Sequence, residues 1–373
     1  MVGVGHQFIS RDGPAAGTGD LAGGDLAAGT GDPAAGTGDP AAGTGDLAAG
    51  IGDLAAGTGD LAGPGRAARL TAARAEAAEA ARAAAAASRV RVRGLGTLAE
   101  VQQVCALYDE IWRPEPGSRP VTVEFLRALA HSGNYVCGAF AGDELVGACA
   151  GFFASPAGVA MHSHIAGVSD RVRGRHVGFA LKLHQRAWAL ARGVELITWT
   201  FDPLISRNAY FNLGKLGACA TEYLPDFYGA IDDGFNSGDD TDRLLVSWPL
   251  ADAGVSRACQ GRAAGADAAA LRAAGAAVAL DTSPAGLPAP PGTGSPGVST
   301  AGSWPPGAGT ALVRVPDDID AVRRGDSAAA RRWRGAVREV LGGLLAGGGQ
   351  VTGFDRSGWY VVERGRPAAE EAL

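Results

Sequence analysis

From Val90 onward apolar and polar positions follow two periods, and upstream of it neither period is present. Val90-Arg91-Val92-Arg93 alternates and predicts an edge strand. Leu98, Val101, Cys105, Tyr108 and Trp112 recur at helical spacing behind Thr97-Leu98-Ala99-Glu100, a capping box. A shorter helix is expected over Val123 to Ala130. Tyr135 to Phe140 and Leu145 to Phe153 flank Ala141-Gly142-Asp143-Glu144 and read as a hairpin. The turn signal Ser155-Pro156-Ala157-Gly158 leads into a third strand, Val159 to Val168. The next helix, Val177 to Arg192, places Val177, Ala180, Leu181, His184, Ala187, Trp188 and Ala191 on one face and Lys182, Gln185, Arg186 and Arg192 opposite. Gly193 ends it, and Glu195 to Phe201 is a strand, which makes a β-α-β unit with parallel strands. Ser206 is expected to cap a helix running to Leu216 and closed by Gly217, before strands at Cys219 to Tyr223 and Arg243 to Trp248. The fold class is α/β: a mixed, mostly antiparallel sheet with one parallel crossover.

Composition sets the borders of that region. Of 373 residues 58 are glycine, concentrated in two stretches. Residues 20 to 60 repeat D-[LP]-A-A-G-[TI]-G, where glycine and proline forbid a stable helix. The expected domains are a disordered low-complexity segment over 1–65, an alanine-rich helix over 66–88 that lies outside the core, an α/β domain over 89–250, a disordered linker over 251–311, and a small α+β extension over 312–366 that packs on the core. A net charge of −6 excludes a general nucleic-acid binder. Five cysteines without C-x-x-C spacing read as free thiols of a reducing compartment. No signal peptide and no apolar run long enough for a membrane is apparent, so a cytoplasmic location is the default expectation.

The strongest chemical signal is the basic run Arg171 to Ala180, a glycine-containing turn between a strand and a long helix. Such a turn offers an anion open backbone N–H groups, the positive end of the helix dipole and flanking guanidinium groups. It matches neither G-x-x-x-x-G-K-[ST] nor G-x-G-x-x-G. It does match R-x-x-G-x-A, read as Arg175, Gly178 and Ala180.

With this loop and this order of elements, residues 90 to 250 resemble the GNAT superfamily of acyl-CoA-dependent N-acetyltransferases. The likeness extends to a subgroup of predicted acetyltransferases on three stretches: His162-Ser163-His164, Thr198-Trp199-Thr200-Phe201-Asp202-Pro203-Leu204, and Arg207-Asn208-Ala209-Tyr210-Phe211-Asn212-Leu213 on to Lys215-Leu216-Gly217-Ala218. A weaker continuation covers Val313 to Glu363, expected as strand, two helices and hairpin that close the acceptor side. The resemblance implies acetyl-CoA as co-substrate, no metal, and a small-molecule or peptide amine as acceptor; it leaves monomer and homodimer open. It further implies a carbonyl-polarising amide between Ala166 and Val168. The diphosphate would meet the amides of Arg173, Gly174, Arg175, His176, Val177, Gly178, Phe179 and Ala180, with charge from Arg173 and Arg175, and Asn208 would line the pantetheine arm. One position departs: where the superfamily often carries a thiolate-protonating tyrosine, this chain has Leu213. Tyr210, Tyr223 and Tyr228 are the substitutes on offer.

Amine acylation needs a base. His162 and His164, two apart on a strand, share a face, and either can serve; the competing reading is a pair of ordinary sheet histidines. A zinc site lacks a third ligand nearby. Asp202 can orient a histidine, bind the amine, or cap the following turn. Asp226, Asp232, Asp233, Asp239, Asp240 and Asp242 surround a loop that either attracts an amine or is simply solvated. Arg331, Arg332 and Arg334 read as a solvated helix face or as contacts to the coenzyme 3′-phosphate. A coenzyme-sensing module without turnover is the alternative function, and a scaffold role resting on the low-complexity segments is the third.

Overall fold

The computed structural model describes residues 64–114, 119–155, 158–229, 240–290, 304 and 307–365. The repeat over 20 to 60, Asp232, Asp233 and Asp239 lie outside them. The capping box forms as read: Thr97 Oγ1 accepts from the Glu100 amide, and the Glu100 carboxylate accepts from the amides of Gly96 and Thr97. It opens α2 (Leu98–Trp112), which follows α1 (Pro64–Ala87) and β1 (Arg91–Gly94) and precedes α3 (Val123–His131). Then come β2 (Tyr135–Ala141), β3 (Glu144–Phe153), β4 (Ala160–Val168), α4 (Val177–Ala191) and β5 (Leu196–Phe201). After β5 lie a single α-turn, α5 (Ser206–Ala209), a π-helical turn (Tyr210–Lys215), β6 (Cys219–Leu224) and β7 (Arg243–Pro249). Ser206 does not cap: its hydroxyl donates to the Pro316 carbonyl at 2.7 Å, and the helix expected to run to Leu216 widens into the π-turn after Ala209. Gly217, at φ +67°, still ends it.

With β8 (Ala277–Thr282), β9 (Pro288–Ala289), β10 (Thr310–Arg314), β11 (Gly349–Asp355) and β12 (Trp359–Arg364) from the later part of the chain, the sheet is mixed and has the strand order β1-β2-β3-β4-β5-β7-β6-β11-β12-β10-β8-β9. Its pairs are antiparallel except β4 with β5 and β8 with β10. Helices cover both faces. On one, α2 and α3 bury Val101, Val104, Leu126 and Leu129 against Ala148 and Ile165. On the other, α4 buries Leu181 and Leu183 against Met161, Ile197 and Trp199.

Two expectations fail here. Helix α1 is part of the core: Ala73, Ala77 and Ala81 are buried at four-residue spacing, and α1 runs along α4 with Arg74 Nε on the Leu190 carbonyl at one end and Arg175 on the Ser88 and Arg89 carbonyls at the other. The buried side chains of α1 are alanines, so the absence of large apolar residues did not signal exposure. Lys182, Gln185 and Arg186, read as the polar face of α4, are buried, the first two against the sheet and Arg186 beside Glu76 of α1, whereas Ala191 is exposed.

Residues 251–290 are not a linker either. Asp252 and Asp267 cap α6 (Ala253–Cys259) and α7 (Ala268–Ala273), and β8 (Ala277–Thr282) and β9 (Pro288–Ala289) complete the sheet edge. Val255, Cys259, Val278 and Leu280 are buried there, apolar area enough to order a stretch dominated by alanine. Beyond it, β10 (Thr310–Arg314), α8 (Ile319–Gly325), α9 (Ser327–Ala346), β11 (Gly349–Asp355) and β12 (Trp359–Arg364) form the strand, helix pair and hairpin expected of the C-terminal segment. β11 joins the sheet at one rung with β6, Val351 opposite Ala220.

Candidate functional site

Strands β4 and β5 share three parallel rungs, ending at His162 opposite Thr198. β4 then follows β3 to Val168, while β5 follows β7 to Phe201, so the two part company toward their carboxyl ends. A register shift against Ala150 and Gly151 makes His164 a bulged residue without a rung on β3, which bends β4 away. Buried Ala166 and half-buried Val168 lie beyond the last rung.

Behind β4 the chain makes a short 3₁₀ turn (Asp170–Val172), passes Gly174 at φ +77° and His176 at φ +60°, and enters α4. No side chain caps that helix. The amides of Arg173 and Arg175 donate to Asp170 and Val172, and those of Phe179 and Ala180 to His176. The turn makes no such bond with the amides of Gly174, His176, Val177 and Gly178, fewer than the eight expected, because it uses the others itself. The arginines are also redistributed. Arg175 closes the end of α1, Arg171 pairs with Glu110 and Glu144, and Arg173 stands 3.7 Å from Asp170.

The turn opens on a cavity of about 910 Å³. Its roof is the alanine face of α1 (Ala80, Ala84, Ala87), its floor Phe179 and Leu183 of α4 and Tyr210 and Lys215 of the π-turn, and its far wall residues 258–265 with Arg262. Tyr210 lies against Gly214, where a Cβ would meet the ring at 2.9 Å, and its hydroxyl accepts from Arg356 at 2.6 Å.

The two faces of the β4–β5 opening differ in chemistry. On the α2–α3 face His162 and His164 come together, ring centroids 6.3 Å apart, with Phe152 within 5.8 Å of both and Phe125 edge-on to His164 at 6.1 Å. His162 Nδ1 is 3.4 Å from Thr198 Oγ1. Desolvation, and then the neighbouring His164 and Lys182, lower its pKa to about 3, so it stays neutral near pH 7. On β5, two residues past Thr198, Thr200 Oγ1 lies 3.1 Å from Tyr228 Oη.

On the α4 face is a group the sequence reading missed. Lys182 is 0% exposed, its Nζ 3.1 Å from Ser163 Oγ, 2.8 Å from Gln185 Oε1 and 3.8 Å from the Trp199 ring centre. It bridges the two strands one residue past their last rung. Burial lowers its pKa to about 7 against a weaker opposing influence of Cys149. The signal in the sequence was a lysine between two leucines, which a one-face helix reading turned toward solvent.

Asp202 is a tertiary anchor. Its carboxylate takes both ends of Arg334 at 2.7 and 2.9 Å and Arg323 at 3.0 Å. Burial pushes the carboxyl up, but Arg334, Arg323 and Arg243 outweigh it and hold it well below the usual range. It contacts neither histidine, and its Oδ1 also accepts from the Leu204 amide, the turn-capping role weighed against the catalytic one. Arg334 is therefore buried, contrary to both readings made for it. Asn208 is buried on α5, and Leu213, at the position of the missing tyrosine, is buried too. All five cysteines are free; burial pushes the Cys219 thiol up to about 11. Among the described residues no cluster of three or more histidine, cysteine or carboxylate groups could hold a metal, and no helix is long and apolar enough to cross a membrane.

No curated protein matches this chain. Solved structures that match it include the ribosomal-protein-S18-alanine N-acetyltransferase of Escherichia coli, at 12% identity over 44% of this chain and 96% of that one, with a TM-score of 0.36. The aminoglycoside 6′-N-acetyltransferase of Enterococcus faecium matches at 15% identity over 43% and 97%, TM-score 0.34. The diaminobutyrate acetyltransferase of Paenibacillus lautus, solved with 2,4-diaminobutyric acid and coenzyme A, matches at 15% over 43% and 95%, TM-score 0.35. Residues 71–211, the stretch from α1 through the parting strands to the start of the π-turn, match the family model described as an acetyltransferase (GNAT) domain.

Proposed function

We propose that the protein is an acyl-CoA-dependent N-acetyltransferase that moves the acetyl group of acetyl-CoA to an amine by direct attack. The observation that carries this reading is the conjunction of parted strands, an uncapped helix start and a 910 Å³ cavity beside that helix start. Amides at Gly174, His176, Val177 and Gly178 that the turn does not use suit a diphosphate. Lys215 and Arg262 on the cavity wall supply positive charge farther along. The match over residues 71–211 supports the same class of reaction.

In the reaction the amine lone pair forms a bond to the thioester carbonyl carbon, the carbon–sulfur bond breaks, and the ammonium proton must leave. His164 is assigned as the base of the pair, because His162 is held as a poor proton acceptor. An amide between Ala166 and Val168 stabilises charge on the carbonyl oxygen. Tyr210 takes the place of the absent tyrosine: it lines the cavity, and since its oxygen accepts from Arg356, its own proton is free to go to the departing thiolate. Buried Leu213 favours one other reading, a coenzyme sensor without turnover.

Gly178→Glu sets a carboxylate among the amides that open α4 and is expected to weaken acetyl-CoA binding about tenfold or more in calorimetry. Unchanged affinity refutes the site. Tight binding with no thiol release across an amine panel selects the sensor.

A further inference from the structure

We infer that the acceptor is an amine carrying an aromatic ring, received against the exposed ring of Phe125 beside His164 on the α2–α3 face of the parted strands. The inference rests on the acyltransferase reading and adds the substrate class to it. Phe125 is 42% exposed although it belongs to a helix whose Leu126 and Leu129 are buried. It is held there by design of the helix start: the Phe125 amide donates to the Thr122 hydroxyl at 3.2 Å, which fixes the first turn of α3 over β4. Its ring stands edge-on to His164, the rings nearly perpendicular at 77°, and Phe152 closes the cluster from below with His162. Four π-systems in one group, one of them open to solvent beside a candidate base, form a wall for another ring. Aromatic faces also receive an ammonium without any carboxylate.

A polycationic acceptor fits the same surroundings poorly. The described aspartates of the 226–242 loop are already engaged. Asp226 accepts from the Thr241 amide and hydroxyl at 3.1 Å each, Asp242 from Tyr223 at 2.6 Å and from Arg338, and Asp240 from Arg338 at 2.6 Å. Asp202 is bound to Arg334 and Arg323. These carboxylates answer charges within the fold and leave little attraction for an incoming polycation.

The test uses the full chain with acetyl-CoA and three amines: 2-phenylethylamine, butylamine and spermidine. Calorimetry first records acetyl-CoA binding, and thiol release then gives kcat/KM for each amine. 2-Phenylethylamine is expected to exceed the other two about tenfold or more, the ratio that one aromatic contact supplies. Phe125→Ala is expected to bring it down to the butylamine level, mainly through KM, with acetyl-CoA affinity as in the parent. Leu98→Ala, another exposed apolar side chain, outside the cluster, is the control and should leave the ranking intact. Bound acetyl-CoA with spermidine or butylamine as the better acceptor, or with a preference that Phe125→Ala does not alter, overturns the aromatic acceptor alone; bound acetyl-CoA with no thiol release from any of the three overturns this inference and favours the sensor. Failure to bind acetyl-CoA overturns the acyltransferase reading and this inference together.

Discussion

Lys182 and Asp202 show how far a side chain's role depends on what reaches it from elsewhere in the chain. Asp202 sits at the carboxyl end of β5, where catalytic carboxylates collect, yet Arg323 and Arg334, more than a hundred residues on, claim it. Lys182 has no carboxylate to claim it and lies under Trp199 with a lowered pKa. The unfolded chain holds this proton up to about 10.5, whereas the folded one releases it near 7. Between those values the unfolded state binds more protons, so this group makes stability rise with pH, by at most about 1.4 kcal/mol per pH unit. Urea titrations at pH 7, 8 and 9 should therefore show a shallower rise for Lys182→Met than for the parent. Parallel curves would mean that the ammonium is accommodated at no cost. His162 acts in the opposite range: its lowered pKa makes stability fall as pH drops from about 6.5 toward 3.

Elements declare themselves when their signal is local. The capping box, the β2–β3 hairpin and the crossover were legible because each rests on neighbours a few residues apart. The face that α4 buries was not: Lys182 and Gln185 turn toward the sheet, and Arg186 meets Glu76 of α1. Helix α1 itself was recognised as a helix and misplaced as a surface one. Ala77→Leu tests its placement: a solvent-facing position accepts leucine freely, whereas the buried site should lose about 1–3 kcal/mol to overpacking, read from the denaturation midpoint. The same roof bounds the cavity, so acetyl-CoA affinity should fall in that variant as well.

For the molecule as a whole, the boundary of the functional unit moves. Reading α1 as dispensable suggests that residues 1 to 88 can be removed without consequence. The contacts of α1 with α4, Ser256 and Gln260 say otherwise. A chain lacking residues 1–62 is expected to keep its melting temperature and acetyl-CoA affinity, and one lacking residues 1–88 to lose both. Equal behaviour of the two truncations would return α1 to the surface. The C-terminal segment is bound in the same sense: Arg338 on Asp242, Arg334 on Asp202 and Tyr360 on the Pro203 carbonyl tie it to the ends of β5 and β7.

The amino-acid sequence by itself determined the order of elements, the parallel crossover and the glycine turn before α4, because periodicity, caps and turn residues act over one or two turns of chain. It also placed His162 and His164 on one face, as alternation in a strand requires. Only the tertiary structure decided which amides of the turn remain free, which arginines are left for an anion, where Asp202 is engaged and that Lys182 is buried. Those outcomes depend on partners separated by tens to more than a hundred residues, and no local pattern in a single chain records which of its charges will meet.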